Sequence, residues 1–459
     1  MDVDTAFNRI REMDADEERF HWYKTDKSFI NGGIGDGINK FDIPGMYKDY
    51  IKKELDEYGE FIRYGEGYGS PFLSDVFSLF ERYIATNGDL QCDSFCKYLT
   101  VTSGASTALF LLFSYISEKY HDHKIKMLGW QYYLFEHHCK NFGLDSQYLI
   151  SKSENRIMPT IDEIHEYMDK SNNDIVILTV PGNPSGEVYT YRELVDICKL
   201  CVQNNDILVI DKCQMEVLSE SFDYLNIGAA IIEAKAEDHV ICIDSISKTR
   251  SLPGVRIGYI YSNCKELHDY MNYYASVIYS CPTRGLESAI GMDILARCLY
   301  YAGENRKIIS KYRSLVLLDC GYDVYNKVYG TILSDKDRLK EVLDSFTAEI
   351  CKNYDQIKRN YQKARSVFRQ IPGCRVTELQ GGFNFCVYLK DDNKMGEVAF
   401  ISRISELTNA KMIPQCCWGA KTGEKGENGY WCRISIAVDE EVMDNYLGRI
   451  VGAIKAVNK

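Results

Sequence analysis

A lysine, two serines and an arginine lie at short spacing in residues 244–259, whose sequence is DSISKTRSLPGVRIGY. The lysine, Lys248, follows an apolar, strand-like run. Partial desolvation at the end of a buried strand and nearby cations lower the pKa of a lysine, which then forms an imine with an aldehyde. Ser245, Ser247 and Arg256 supply hydroxyls and a planar guanidinium, which suit phosphate oxygens. The segment therefore predicts a site for a phosphorylated aldehyde beside Lys248.

The pattern S-x-S-K-x-x-x-L-P-G-x-R-x-G closely resembles the cofactor-lysine motif of the class I/II aminotransferases. Enzymes of that family have fold type I and use pyridoxal 5'-phosphate (PLP), an aldehyde that carries a phosphate. The resemblance implies that Lys248 is the catalytic lysine that binds PLP, and that Ser245, Ser247 and Arg256 hold its phosphate. A lysine alone is more often an ordinary surface residue, so the other motifs of the family decide between the two interpretations.

A turn of small residues, SGASTA at 103–108, precedes an apolar, helix-like stretch. The first amides of a helix lie at the positive end of its dipole, where they can bind phosphate. The turn resembles the phosphate cup of the family, with Gly104, Ala105 and Ser106 in the cup positions. A plain helix cap is the alternative interpretation of this turn.

The segment GWQYYLF at 129–135 follows the next strand-like run. In the family this place usually has P-x-Y-P or P-x-W, and its aromatic residue stacks on the pyridine ring of PLP. The resemblance assigns that role to Tyr132, whereas Trp130 and Tyr133 stand where the prolines are expected. An ordinary aromatic cluster in the core is the alternative.

Two polar side chains follow buried, strand-like runs farther along the chain: Asn183 in VPGNPSG, and Asp211 at the end of ILVID. The first turn resembles the N-P-x-G turn whose asparagine donates to the phenolic O3′ of PLP; a simple turn is the alternative. A buried aspartate is costly when unpaired, but paired with a protonated pyridine nitrogen it makes the ring an electron sink. The spacings of both residues to Lys248 and Arg256 also resemble those of the family.

Gln214 marks a departure from the family, whose members usually have a tyrosine three residues after this aspartate. That tyrosine is a second donor to O3′. An amide is a weaker acid than a phenol and leaves O3′ less stabilised as an anion. We assign Gln214 to the cofactor site, and its presence leaves reactions other than transamination open.

Arg433, in WCRIS, resembles the arginine with which the family holds the substrate α-carboxylate as a bidentate fork. Gly35, in NGGIGD, matches the N-terminal glycine whose backbone approaches the same carboxylate. The resemblance also places Asn183 beside the substrate, and Asn384 is a further candidate for this pocket. A surface arginine on a strand is the alternative interpretation of Arg433.

The segment RYGEGYGSPFL at 63–73 resembles the family's Y-x-x-x-x-G-x-x-x-L-R motif. The tyrosine of that motif reaches the phosphate in the neighbouring subunit, and Tyr64 takes this place. Ser74 stands where the arginine is expected. The resemblance therefore implies a homodimer in which each subunit completes the other's site.

Short apolar runs alternate with helix-like stretches from about Tyr98 to Tyr261, which predicts an α/β fold with a mostly parallel sheet covered by helices. Ligands bind at the carboxyl ends of the strands in such sheets. Long amphipathic stretches and two strand-like runs, at 382–389 and 431–437, then predict a smaller α/β domain. We expect a large PLP-binding domain at 46–300 and a small domain from 1–45 and 301–459, with a helical insertion near 300–345.

Composition excludes several other classes of protein. The 459 residues are 45% hydrophobic with a formal net charge of −12, and no basic stretch with aromatic residues offsets that charge, which disfavours nucleic acid partners. We find no apolar run of 18 residues and no leader, so we expect no membrane span or signal peptide and a cytoplasmic location. The 17 cysteines lack the spacing of a zinc or disulfide framework, so we expect reduced thiols and no metal site.

These motifs lead to a PLP-dependent aminotransferase that moves an α-amino group between an amino acid and a 2-oxo acid. Lys248 moves the proton, Asp211 keeps the ring nitrogen protonated and Arg433 orients the α-carboxylate. The alternative is a PLP-dependent lyase, decarboxylase or cyclase-type tailoring enzyme acting on an amino acid, because one fold hosts all these reactions. A binding protein without turnover is a third hypothesis, which the intact site residues oppose.

Overall fold

The computed structural model describes residues 8, 30–31, 45–58, 60–62, 64–88, 92–168, 173–215, 225–302, 306–314, 332–419 and 428–459. The strands are β1 (Ile30–Asn31), β2 (Tyr98–Thr102), β3 (Ile125–Leu128), β4 (Ser146–Leu149), β5 (Ile175–Thr179), β6 (Ile207–Asp211), β7 (Val240–Ser245), β8 (Gly258–Ser262), β9 (Arg375–Val376), β10 (Asn384–Lys390), β11 (Ala410–Lys411), β12 (Ile413–Pro414) and β13 (Gly429–Ser435). The helices are α1 (Gly45–Lys53), α2 (Pro71–Ala85), α3 (Ala105–Lys119), α4 (Tyr133–Asn141), α5 (Ile161–Met168), α6 (Tyr191–Asn204), α7 (Ile227–Ala234), α8 (Ile246–Thr249), α9 (Lys265–Tyr279), α10 (Glu287–Ala302), α11 (Arg306–Arg313), α12 (Lys336–Arg369), α13 (Glu397–Thr408) and α14 (Glu440–Val457).

A seven-stranded sheet in the order β2-β8-β7-β6-β5-β3-β4 carries most of the predicted strands. Its strands are parallel except β8, which runs antiparallel to both neighbours. Every residue of β5 is buried, as expected of a strand that is covered on both faces. The predicted α/β fold with a mostly parallel sheet is confirmed. The edge strand β4, whose sequence SQYL is only partly buried, was not predicted.

Helices cover both faces of this large sheet. Helices α3, α4 and α9 pack on one face, which we call the front, against side chains such as Val209 and Ile243. Helices α2, α5, α6, α7 and α10 pack on the rear face, against side chains such as Leu208 and Cys242. Successive residues of one strand therefore enter different cores, as the two-residue period of a strand requires.

A smaller antiparallel sheet has the order β12-β13-β10-β9. Strands β10 and β13 pair along their length, and they correspond to the two runs predicted at 382–389 and 431–437. Helices α12, α13 and α14 pack against this sheet around a separate apolar core. Strand β1 pairs in parallel with β11, so residues 30–31 lie beside this part of the molecule.

The 34-residue helix α12 connects the two cores. Tyr354 packs in the rear core of the large sheet, whereas Ile357 and Tyr361, on the next turn and the turn after it, pack in the core of the small sheet. The predicted domain limits at 45–46 and 300–301 remain predictions. The insertion expected near 300–345 lies partly outside the described residues. Among the described helices, none has the length and apolar character needed to cross a membrane.

Candidate active site

A cavity of about 230 Å³ lies at the carboxyl edge of the large sheet, on its front face. The ends of β5, β6 and β7, the start of α3 and the short helix α8 form its walls, and β13 of the small sheet contributes one side chain. Parallel strands direct their carboxyl ends to one edge, which brings together side chains that are far apart in sequence. The predicted site residues that line the cavity are Ala105, Ser106, Tyr132, Asn183, Asp211, Gln214, Ser245, Ser247, Lys248, Arg256 and Arg433.

Lys248 and Asp211 both line this cavity at the carboxyl edge of the sheet. Lys248 belongs to helix α8, which starts directly after β7, and Asp211 is the last residue of β6. Asp211 is buried, and its Oδ1 accepts a hydrogen bond from the Cys213 backbone N–H at 3.0 Å. Burial raises the pKa of the Asp211 carboxyl above its usual value, and the Cys213 amide and the charge of Lys248 oppose that rise. A cation in the cavity would favour the ionised form of this carboxylate.

Arg256 and the start of helix α3 form a polar end of the cavity. The Arg256 guanidinium donates to Pro253 O at 3.0 Å and to Ser103 O at 3.4 Å. Gly104, between that carbonyl and the helix, has a φ of 82°, and a Cβ built on it would lie 2.4 Å from the guanidinium. Only glycine fits this position without displacing Arg256. The guanidinium therefore lies beside the first amides of α3, and both can bind one anion.

Arg433 and Asn183 form a second polar group on the cavity wall. Arg433 is 2% exposed, and its Nη1 donates to Asn183 Oδ1 at 2.9 Å. Because the oxygen of the Asn183 amide accepts this bond, its NH₂ group is the part that can donate to a ligand. The Arg433 guanidinium also lies 4.2 Å from the centre of the Trp418 ring, a cation–π contact that fixes its plane.

Two tyrosines form an aromatic wall of the cavity. The rings of Tyr132 and Tyr133 have centres 4.5 Å apart and are tilted by 54°, and the Tyr132 hydroxyl donates to Tyr133 Oη at 3.3 Å. Burial raises the pKa of the Tyr132 phenol well above its usual range. Tyr133 also contacts the Trp418 ring at 6.2 Å between centres. The residue that replaces a family proline thus joins Tyr132 to the ring that supports Arg433.

Gln214 lines the cavity and contacts the small sheet. A Cβ built on Gly382, which has a φ of 75°, would lie 2.5 Å from Gln214 Oε1. The Gln214 amide therefore packs against the backbone that leads into β10. Asn384, at the start of β10, is 1% exposed, and neither polar atom of its side chain has a hydrogen-bond partner among the described residues.

Three predicted site residues do not line this cavity. Gly104 lies directly behind its wall, against Arg256. Tyr64 is 90% exposed and lies on the surface of the subunit. Gly35 falls outside the described residues. The roles assigned to all the candidate residues remain predictions.

The sequence did not single out several residues that the structure brings to the cavity. Thr179 ends β5, and its hydroxyl donates to Gln131 Oε1 at 2.6 Å. Cys213 lies two residues after Asp211, and burial raises its thiol pKa well above the usual range. The available signal for both residues was their position at or close to the carboxyl end of a strand, because ligands bind at that edge. The others that line the cavity are Leu109, Tyr133 and Pro253.

The cavity contains donors and acceptors that fit the three polar parts of PLP. The Arg256 guanidinium and the start of α3, which approach each other only because residue 104 is glycine, suit a phosphate. The buried Asp211 carboxylate suits a protonated ring nitrogen, and the Asn183 NH₂ group suits a phenolic oxygen. Lys248 lies on the same cavity wall, where it can meet the aldehyde carbon. The residues present therefore fit this cofactor.

Comparisons with known proteins agree with this arrangement. The family described as aminotransferase class I and II matches residues 51–450. The chain is similar to a probable aspartate/prephenate aminotransferase of Aquifex aeolicus (strain VF5), with 23% identity over 93% of this chain and 91% of that protein. It is 28% identical to aspartate aminotransferase of Bacillus sp. (strain YM-2) over 56% of this chain, and this match spans 62% of the Bacillus protein. A solved structure of Thermus thermophilus aspartate aminotransferase with maleate has the same fold, with a TM-score of 0.68 and 17% identity over 97% of this chain and 96% of that one.

Proposed function

The chain belongs to the aminotransferase class I and II family, and from this premise we propose that it transfers an α-amino group between an amino acid and a 2-oxo acid. The family uses PLP. The observation that supports the proposal most directly is the meeting of Lys248, Asp211, Asn183 and Arg433 in one cavity, from four separate segments of the chain.

We assign the cofactor contacts residue by residue. Arg256, Ser245, Ser247 and the cup residues Gly104, Ala105 and Ser106 would hold the phosphate, Asn183 and Gln214 would face O3′, and Tyr132 would pack on the ring. Asp211 would pair with the ring nitrogen. When bound in this way, PLP supplies an electron sink for the bonds at the substrate Cα.

The side chains around the substrate Cα have separate roles. Arg433, fixed between Asn183 and Trp418, presents its guanidinium to the α-carboxylate of the substrate and orients the Cα–H bond toward Lys248. Lys248 Nζ would accept the α-proton from the substrate Cα and then donate it again, as general base and general acid. Asp211 remains ionised during turnover because its partner is a cation.

We propose a homodimer as the functional unit, with Tyr64 reaching the phosphate of the partner subunit. Tyr64 lies on the surface next to other exposed apolar side chains, Phe61 and Ile62, and the segment that carries it packs against the end of α9. Helix α9 exposes Tyr273, Val277 and Ile278 on its outer side. Exposed apolar patches of this kind mark association surfaces. Light scattering tests the dimer, and Tyr64→Phe should weaken PLP binding without changing the mass of the assembly. The cytoplasmic location remains a prediction from the sequence.

Product analysis by mass spectrometry tests the reaction. The protein is incubated with a panel of amino acids, with and without a 2-oxo acid acceptor, and Lys248→Ala serves as the inactive control. An aminotransferase gives a new amino acid in many turnovers only when the acceptor is present. Multiple turnovers without an acceptor, giving ammonia, CO₂ or a cyclic product, contradict the proposal.

Such a result would favour the second candidate, a PLP-dependent lyase, decarboxylase or cyclase-type enzyme. One specific observation supports that candidate. Gln214 lines the cavity and packs against Gly382, and in the sequence it stands where the family usually has the tyrosine that donates to O3′. An amide at this position stabilises the O3′ anion less than a phenol does, which changes the balance between the possible reactions.

A further inference from the structure

Four polar side chains meet behind the candidate active site, on the rear face of the large sheet. Lys212 Nζ lies 2.7 and 2.6 Å from the two carboxylate oxygens of Glu81, and 3.6 Å from Asp244 Oδ2. Tyr259 Oη lies 2.6 Å from Glu81 Oε1 and 3.1 Å from Asp244 Oδ2, so two carboxylates share its proton. We call these four residues the rear cluster.

The rear cluster is buried, and a nearby arginine helps to balance its two carboxylates. None of its members is more than 4% exposed. Burial raises the pKa of Tyr259 well above its usual range, the carboxylates add to the rise, and the nearby Arg297 opposes it. Two carboxylates therefore share this region with two cations, Lys212 and Arg297. A buried charge is tolerated only with such partners, and removing one partner leaves the other uncompensated.

The rear cluster is connected to the active site through single peptide units. Side chains alternate between the faces of a strand, so Lys212 points to the rear while Asp211 points to the cavity. In the same way, Asp244 points to the rear while the next residue, Ser245, lines the cavity. The Lys212 N–H donates to Ile243 O at 2.9 Å, which extends the hydrogen-bonded ladder of β6 and β7 past Asp211.

We propose that Lys212 is a positioning residue for Asp211 and for helix α8, which carries Lys248. This inference rests on the proposed function of the site. Lys212 follows β6, and its ammonium contacts both Glu81 on helix α2 and Asp244 on β7, so it connects the helix to the carboxyl ends of these two strands. This connection fixes the backbone from which Asp211 projects toward the cavity. A displacement of about 1 Å at a reacting group can lower turnover on the order of 100-fold, so a fixed backbone at this edge affects the reaction directly.

A second buried lysine provides a matched control. Lys126 Nζ lies 2.9 Å from Asp174 Oδ2, and this pair is also buried. Each lysine lies close to a tyrosine ring as well, at 5.1 Å for Lys126 and 5.4 Å for Lys212. The two lysines differ in their position. Lys126 is the second residue of β3 and Asp174 precedes β5, so this pair lies at the amino edge of the sheet, far from the cavity. A purely structural role predicts the same behaviour for both lysines.

The test compares Lys212→Met with Lys126→Met in the full chain, below the melting temperature of both. Hydrogen–deuterium exchange, without added cofactor, should rise in 211–215 and 245–249 only in Lys212→Met. With PLP bound, the pH midpoint of its visible absorbance should rise in Lys212→Met, because the carboxylates of the rear cluster lose their cation. Its kcat should fall by about 100-fold with a nearly unchanged KM. Lys126→Met should keep the wild-type exchange at these segments, midpoint and kcat.

Two further variants keep the test decisive if Lys212→Met does not fold. Lys212→Arg retains the charge and should keep the wild-type pH midpoint of the visible absorbance. Tyr259→Phe removes only one hydroxyl, and it should shift exchange and kcat in the same direction as Lys212→Met, but by a smaller amount. Equal exchange, midpoint and kcat in the wild type, Lys212→Met and Tyr259→Phe would overturn the inference. An inactive wild type that binds no PLP would instead contradict the proposed function, whereas the exchange measurement would still decide whether Lys212 fixes this edge.

Discussion

Two buried charged groups at opposite edges of the large sheet differ in their partners. At the amino edge, Lys126 pairs with Asp174, and Asp206 Oδ1 accepts a hydrogen bond from the Asp174 backbone N–H at 2.7 Å, so these charged groups have partners within the protein. At the carboxyl edge, Asp211 faces a cavity, and burial raises its pKa. A buried charge with a protein partner is compensated, and removing that partner is costly, whereas a charge that faces a cavity lowers stability until a ligand pairs with it. The comparison supports the proposal that the chemistry takes place at the carboxyl edge.

Substitution of Asp211, at the carboxyl edge, should have the largest effect on turnover. We expect Asp211→Asn to retain PLP but to lose about 10³- to 10⁴-fold in kcat, since the ring nitrogen no longer has an anionic partner. Asp174→Asn, at the amino edge, should keep the wild-type kcat per folded molecule. Stopped-flow or steady-state kinetics at equal PLP occupancy would measure both. Near-normal turnover of Asp211→Asn would show that this carboxylate does not contact the cofactor.

Substitution of Arg433, at the substrate end of the cavity, should act mainly on the affinity for the substrate. Arg433→Ala removes a buried guanidinium from the α-carboxylate, and we expect kcat/KM to fall by roughly 2 to 5 kcal/mol, with most of the change in KM. Arg403 is a suitable control, because it is an exposed arginine that pairs with Glu406 on α13. If kcat/KM is the same in both alanine variants, the carboxylate is held elsewhere.

The stability of the cofactor-free protein should change in opposite directions at the two edges. The pKa of Asp211 is raised in the folded state, so the folded protein binds this proton more tightly than the unfolded chain does. Stability therefore falls as pH rises from the usual aspartate pKa through the raised value, and the full cost is present above the raised value. Asp211→Asn should remove that cost and raise Tm.

Asp174→Asn should instead leave Lys126 buried without its carboxylate, and we expect a loss of about 3 kcal/mol. Calorimetry of the PLP-free proteins at pH 4 and pH 7 measures both variants. The comparison of the edges would be wrong if the two substitutions changed Tm in the same direction at pH 7.

The smallest expected effect concerns Gln214. Gln214→Tyr should lower the pH midpoint of the visible absorbance of bound PLP, because a phenol stabilises the O3′ anion better than an amide does. Transamination should rise with it. A spectrophotometric titration of wild type and variant gives the midpoint, and equal midpoints would show that residue 214 does not contact the cofactor.

Local patterns in the sequence were sufficient to predict the strands of the large sheet. Runs such as 175–180 and 240–243 are continuously apolar because both faces of the sheet are covered by helices, and turn residues mark their ends. The cavity residues that follow these strands could be predicted for the same reason, since parallel strands end at one edge. Strand β4 was missed because it lies at the sheet edge and keeps polar residues.

Contacts between distant segments could not be predicted in this way. Lys212 gave no signal as a neighbour of Glu81, because 131 residues separate them and no motif relates the two residues. Trp418 gave none as the ring beneath Arg433, since it lies in a separate short helix, Gln415–Trp418. Both contacts depend on how helices and sheets pack, which hydrophobic pattern and spacing do not specify.

The central claim is that Lys248 carries PLP at the carboxyl edge of the large sheet. The direct measurement is incubation of the purified protein with PLP, reduction with borohydride, proteolysis and mass spectrometry of the peptides. We expect one pyridoxyl group per subunit, on the peptide that contains Lys248, and a yellow protein before reduction. A protein that stays colourless and unlabelled, or a label on another lysine such as Lys212 or Lys126, would contradict the account.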